Sequence, residues 1–549
     1  MNYFKSLILI ILSSVVLALG EQPVREYDLG DWITIKNFNQ ITSLAESNTF
    51  IYFGTTGGII PYHKHQHYEE AAYTTSDGLI DDKISAVYYD MSTQYIWAAH
   101  RGGVSYLTAT GDWWENPYKQ SAGQPPIVRI GALDNSIILK FADGRLLELN
   151  SQSGYEMGEF DRPADFHRIN WNVTASSEPV SSVSLYNVEG GYWLKEDGYI
   201  RDHELREFPW NLKYVTDMQQ LFGGVYGLGY IVGDDNMKSF RIHPSGLLKN
   251  YVNAFDFDGN FLWAGSLDNR QNDRFIRTGI SRYNYKTDEW QYFEDELVHE
   301  LATASVTQID AKNGIMVAGT RLGVSVYQGD KKQWRRFSTH DGLWSDVVTA
   351  VEVGDKNALV GTDFGLNLID LSDWQMSKVS LTDGKGVVKV HQIKQSPNYF
   401  WIGTNNGFYS LKKSNQKLRH FDFNGKQISL DKAVAANCYA IAANDSDVVF
   451  YGDNFFLKYD LKGKNWEDLP RYQWNGLVND LSISGEYLWI GTTKGAILLN
   501  MRTGEQEEYS VADGLAGNQV MKVIIDNGWV WFGTEKGLTK YNWRKYVLE

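Results

Sequence analysis

Leu488-Trp489-Ile490-Gly491-Thr492-Thr493-Lys494-Gly495-Ala496-Ile497-Leu498-Leu499-Asn500 decides the reading of the chain, because most of the sequence consists of imperfect copies of it. Three close copies are Trp531-Phe532-Gly533-Thr534-Glu535-Lys536-Gly537-Leu538, Trp401-Ile402-Gly403-Thr404-Asn405-Asn406-Gly407-Phe408 and Tyr52-Phe53-Gly54-Thr55-Thr56-Gly57-Gly58-Ile59. An aromatic, a hydrophobe, Gly-Thr, two variable residues and Gly make a strand, a tight turn and a second strand.

Aligned on this signal, the chain shows Gly54, Ala98, Gly265, Gly319, Gly361, Gly403, Gly491 and Gly533, with weaker copies at Ile138-Leu139, Tyr192-Trp193-Leu194, Val225-Tyr226-Gly227 and Tyr451-Gly452. Gly319, Gly361 and Gly403 are spaced by a period of about 40 to 45 residues, which in β-rich sequence is one four-stranded propeller blade. The fourth strand of a unit opens on an aromatic (Trp290, Trp334, Trp374) and leads into Asp-Gly-Leu, as at Asp77-Gly78-Leu79, Asp341-Gly342-Leu343 and Asp513-Gly514-Leu515. The expected fold class is therefore all-β, a β-propeller of about twelve four-stranded blades. One ring of that size would have a very wide hole, so two propellers are expected: residues 21–290 and 291–549, about six blades each. A five-plus-seven division, or one ring built from both chain ends with the other inserted, is also compatible. Asp31-Trp32-Ile33-Thr34-Ile35 reads as a fourth strand arriving before any first strand, suited to closing the last blade of a ring.

Acidic residues outnumber basic ones 67 to 52, for a formal charge of −15, which argues against a nucleic-acid partner. Lys5, the apolar run Leu7 to Leu19 and Ala18-Leu19-Gly20 read as a signal peptide over residues 1–20, so a periplasmic or secreted protein is expected, not an integral membrane one. The single cysteine, Cys438, excludes an internal disulfide and sits in an apolar run that suits a buried, inert thiol.

The units, with their hydrophobe-Trp-Ile-Gly-Thr-x-x-Gly core, aromatic strand and Asp-Gly-Leu turn, resemble the two-component regulator propeller repeats. The resemblance covers nearly the whole chain after residue 20, strongly from about residue 300 and over residues 40 to 107. In that family the propellers form the periplasmic sensor half of hybrid histidine kinases and recognise carbohydrate-derived ligands; similar repeats occur in a propeller protein of the type IX secretion system and in streptogramin lyases. The resemblance implies a binding or scaffold module for a glycan-derived ligand or an envelope protein. No kinase, membrane-span or immunoglobulin-like segment accompanies the repeats here, so the signalling role is not carried over.

Propeller ligands usually meet the turns after Asp-Gly-Leu and after Gly-Thr, whose positions are fixed and whose residue types are free. The candidate ligand-binding residues are Asp82, His100, Arg101, Arg321, Trp344, Asp346, Asp363, Asn405, Lys494 and Glu535. Trp114, Trp344, Trp474 and Trp529 stand beside the repeating aromatic positions and are the candidates for stacking a ligand. In His63-Lys64-His65-Gln66-His67-Tyr68-Glu69, an extended chain would put His63, His65 and His67 on one face as weak metal candidates. No linear enzyme signature is present and no cofactor is expected. The alternative is a propeller lyase or hydrolase with His100 and Arg101 as an acid/base pair in a central funnel.

Overall fold

The computed structural model describes residues 27–547 apart from 29, 112, 182, 184, 268–276, 302, 304, 383–386, 431, 433, 435 and 471, so the expected signal segment lies outside the described residues. Antiparallel sheets of four main strands follow one another along the chain as blades of a β-propeller fold.

The opening motif explains how a blade is built. In Tyr487–Thr492 and Gly495–Asn500, Thr492 faces Gly495 across the turn. Its buried hydroxyl donates to Gly495 O at 2.9 Å and accepts from Lys494 N at 3.0 Å. Thr55, Thr320, Thr362, Thr404 and Thr534 make the same bond to the glycine carbonyl three residues on. The two glycines do different work. Gly495 has φ +131°, and a Cβ there would lie 2.3 Å from Tyr509 O. Gly491 is needed for close approach: its Cβ would lie 2.8 Å from Val520 and Val523 of the next blade.

The Asp-Gly-Leu turn is equally determined. Thr74 and Asp77, and Ser338 and Asp341, form reciprocal capping boxes around one turn of 3-10 helix, ended by Gly78 and Gly342 in the left-handed region. Ser510 and Asp513 make the matching bonds, and Leu79, Leu343 and Leu515 are buried.

Among the described residues there are eleven sheets. Blades 1 to 4 span 41–69, 84–119, 127–159 and 207–243; blades 5 to 11 span 254–294, 306–337, 348–379, 390–428, 438–468, 478–509 and 520–541. The weak copy at Tyr192-Trp193-Leu194 does not make a further blade. Trp193–Leu194 pairs only with Tyr199–Arg201, a short hairpin added to blade 4, and Trp193 is 56% exposed.

Trp32–Ile35 pairs antiparallel with Gly537–Tyr541 and supplies the fourth strand of blade 11. The first strands of blades 5 to 11 touch in order, and that of blade 11 returns onto blade 5, where Val252 N donates to Thr534 O at 2.8 Å. Blades 1, 2 and 3 touch in order and blade 4 returns onto blade 1. From its first described strand in blade 11 the chain thus runs through the four-blade unit and comes back to complete seven blades. A boundary at residue 290 would cut the strand Glu289–Glu294, which is hydrogen-bonded into blade 5; the units instead divide at 36–40 and 244–252.

Carboxylates on the first strands tie blades 5 to 8 in sequence and blade 10 to blade 11. Asp256 accepts from Ala311 N, Asp310 from Val353 N, Glu352 from Gln395 N and Asp480 from Val523 N, each bond reaching the next blade at 2.6 to 3.0 Å. Burial pushes Asp256 and Asp310 up to about 7, each reinforced by its acidic neighbour, and raises Glu352 as well. Burial alone would lower Lys394, but Asp480, Glu352 and Asp310 hold it above its ordinary value.

Candidate functional site

Most of the residues singled out from the sequence hold turns together. Asp82 accepts from Thr75 N at 2.7 Å and from the buried Lys36 ammonium; Asp346 accepts from Thr339 N at 2.7 Å. Asn405 and Glu535 accept from Lys389 N and Gln519 N, both at 2.9 Å, closing the loop into their own blade. Asp363 N donates to Val347 O in the matching place. Lys494 and Arg321 are exposed.

His100 and Arg101 do border one recess, with a volume of about 780 Å³, between blade 2 and the segments that enter and leave it at 80–83 and 120–126. His100 is not poised as an acid or base there. Its Nδ1 accepts from Gly102 N at 3.2 Å and its Nε2 is 2.7 Å from Ser105 Oγ, which donates to Asn116. Burial lowers its pKa to about 4, so the ring is neutral at physiological pH. His63, His65 and His67 do not share a strand face. The strand ends at His63 and residues 64–67 form a turn in which His67 has φ 59° and its Nδ1 meets Tyr62 OH at 3.2 Å. Among the four off-repeat tryptophans, Trp114 is buried, Trp474 donates to Gln506 at 2.6 Å and Trp529 lies under the Lys540 ammonium, leaving Trp344 as the exposed one.

The sequence did not single out the cleft between the two units as a site. A cavity of about 590 Å³ is walled by Tyr62 and Glu69 of blade 1, Tyr230 and His243 of blade 4, and Arg282 and Trp290 of blade 5. The size suits a small ligand, and junctions between units are common addresses for one. Glu69 is its distinctive group. It accepts from Tyr230 OH at 2.7 Å and from Ser245 Oγ at 2.9 Å. Burial nevertheless pushes it up to about 7, with Asp288 across the cleft adding to the rise. His243 stacks on Tyr230 at 5.1 Å and is lowered to about 4, first by burial and then by Arg241. Tyr62 and Tyr230 are buried, the Tyr230 ring being stacked on Phe53 and on His243, so the cleft offers the partly exposed Trp290 ring, a carboxyl that titrates near neutrality and a neutral imidazole.

Two chain crossings hold the cleft in place. Leu247 N donates to Lys36 O at 2.8 Å, and Asn37 Nδ2 to Leu248 O at 2.8 Å, pairing the outgoing and returning segments. Gly246 has φ +75°, with a Cβ position 1.9 Å from Lys36 O. Arg206 of the four-blade unit grips Glu294 of blade 5 with two bonds, 2.8 and 3.3 Å. The signal for the cleft was faint: Glu69 closes the histidine stretch and Trp290 opens a fourth strand, so neither stands out from the repeat as lining a site.

No family profile matches the chain, and no curated protein matches it. Among solved structures it is similar to PorZ, an essential bacterial surface component of the type-IX secretion system of Porphyromonas gingivalis, at 13% identity and a TM-score of 0.54, over 93% of this chain and 87% of that one. It is also similar to the extracellular domain assigned to a hybrid two-component system of B. thetaiotaomicron, at 11% identity and a TM-score of 0.41, over 91% of this chain and 70% of that one. The likeness to PorZ is one of fold. No described helix is long and apolar enough to cross a membrane.

Proposed function

We propose that this chain is an exported binding or scaffold protein that takes a glycan-derived ligand or an envelope protein partner, and that the ligand enters the cleft between its two units. The observation that carries this reading is the wall composition: Trp290 converges with Glu69, Arg282 and His243 on one cavity, over a floor of the buried Tyr62 and Tyr230. The Trp290 ring suits the apolar face of a sugar, and the carboxyl and guanidinium suit its hydroxyls. A ligand bridging blades 1, 4 and 5 also bears on the angle between the units, which fits a protein whose bound state is read by another. The export part of the proposal rests on the signal-like N-terminus.

Thermal-shift screening of a glycan library, with released product measured in parallel, tests it. Stabilisation by one glycan class, lost in Trp290→Ala and weakened in Glu69→Gln, is the expected result. Turnover of the glycan would replace the binding reading by the lyase or hydrolase one; stabilisation unchanged by both substitutions would move the site elsewhere.

A further inference from the structure

The rim of blades 6 and 7 carries an apolar patch that the cleft does not explain. Leu322, Trp344, Val347 and Phe364 are 47%, 40%, 39% and 52% exposed. They are contiguous rather than scattered. Gly323 N donates to Asp346 O at 2.8 Å, which sets Leu322 beside Val347, and Asp363 N donates to Val347 O, which sets Phe364 there too. The Trp344 indole rests on Gly365, next to Phe364. A joined patch of this kind marks an interaction surface, whereas single exposed hydrophobes do not.

The charges around it are arranged unequally. Lys378 Nζ lies 4.3 Å from the centre of the Trp344 ring, Arg336 donates to Leu322 O at 2.7 Å, and Arg321 is exposed; none of the three has a carboxylate partner among the described residues. Asp341 and Asp346 are tied to the backbone and hydroxyls of Ser338 and Thr339. Arg321 and Lys378 thus face outward and Arg336 is anchored on Leu322 O, while Asp341 and Asp346 are engaged in the turns and one oxygen of Asp363, beside Phe364, is buried with no partner among the described residues, on a chain whose formal charge is −15.

We propose that this rim docks an acidic polypeptide segment with interspersed apolar side chains. Leu322 and Val347 have no ring face for a sugar to stack on, but they match aliphatic side chains, and the cations suit Asp or Glu between them. The surface is separate from the cleft and does not depend on a ligand there.

The test uses the full chain and fluorescein-labelled peptides of alternating Glu and Leu, or of alternating Lys and Leu, read by anisotropy. The Glu/Leu peptide binds and the Lys/Leu peptide does not, with affinity falling as salt is raised. Trp344→Ser and Phe364→Ser each abolish binding, while Arg321→Glu or Lys378→Glu weakens it roughly tenfold. The Arg321→Glu/Lys378→Glu double variant takes the Lys/Leu peptide instead, a gain that unfolding could not produce. Failure of the Glu/Leu peptide to bind, equal binding of both peptides, or indifference to these substitutions overturns the proposal. So does binding only to phosphatidylglycerol vesicles, or self-association that Trp344→Ser removes.

Discussion

The seven-blade and four-blade units use one sequence grammar with different fidelity, and the difference shows what the glycine of Gly-Thr encodes. In blades 5, 6, 7, 8, 10 and 11 the glycine lies under the first strand of the following blade: a Cβ would strike Val306 from Gly265, Val348 from Gly319, Val390 from Gly361 and Val252 O from Gly533. In the four-blade unit Gly54 lies under Ile84 and Gly224 under Ile41 in the same way. The register of blade 3 puts Lys140 in that place, and Asn170–Trp171 is added at the first strand of this blade instead of a following blade's first strand. The glycine therefore marks a seam between blades. Blades 2 and 9 are the exceptions, with Ala99 and Tyr451 at the position, the Tyr451 ring being turned to Trp474.

Substituting the seam gives the largest effect. Gly361→Val should destabilise the seven-blade unit by more than about 3 kcal/mol, because even a Cβ sits 2.4 Å from Val390 Cγ1 and closed rings have little slack for overpacking. Lys140→Gly in blade 3 should change stability by less than about 1 kcal/mol, since no seam is there. Denaturant unfolding of both variants measures the contrast; equal effects would show that the glycine serves only its own strand.

Next in size is the crossing between units. Gly246→Ala forces a left-handed backbone on alanine and drives its Cβ into Lys36 O, a penalty of about 2 to 3 kcal/mol. Because Gly246 stands between the units, the expected result is separation of one melting transition into two. A single transition, shifted as a whole, would instead make the crossing part of one cooperative core.

How much of this was legible in the sequence follows from the same contrast. The repeat spelled out strands, turns and the closing strand Trp32–Ile35, because each depends on residues a few positions apart or on a missing strand partner. It failed at Trp193-Leu194, where an aromatic-hydrophobe pair imitates the motif without the Thr hydroxyl that closes its turn. In Trp97-Ala98-Ala99 the seam position is Ala99, since Ala86 pairs with it and not with Ala98. The division between units was invisible because the crossings are short and carry no linker composition. The site residues were misjudged for a related reason: Asp82, Asp346, Asn405 and Glu535 vary among blades, yet each accepts a backbone N–H, so variation there reflects interchangeable acceptors. Glu69 and Trp290 meet only through the return of the chain at residues 244–252, which no local pattern reports.

In the seven-blade unit, buried first-strand carboxylates recur in consecutive blades at Asp256, Asp310 and Glu352. Asp310 is raised from 3.8 to about 7 by burial and by Glu352. Between those two values the folded protein keeps a proton that the unfolded chain releases, so this group makes stability fall as pH rises from about 4 to 7. Asp310→Asn keeps an acceptor for Val353 N and removes the titration. Its stability should match the wild type near pH 4 and exceed it above pH 7, the gap opening across that range. His100 and His243, lowered to about 4, slope the other way but are common to both proteins and cancel in the difference.

The smallest effect tests whether the turn is the same device in both units. Thr492→Val and Thr55→Val each remove the hydroxyl that donates to the glycine carbonyl three residues on, at 2.9 Å in both cases, and that accepts from a backbone N–H within the turn. Valine keeps the shape and the β-branching, so the loss is that of the hydrogen bonds and of the buried N–H left unpaired, about 1 to 2 kcal/mol at each site. If the turn acts locally, the two variants should lose the same amount by denaturant unfolding and both should retain one transition. A larger loss at Thr492 would mean that the closed seven-blade ring amplifies a local defect, since a turn that opens there loosens Gly491 from Val520 and with it the seam to blade 11.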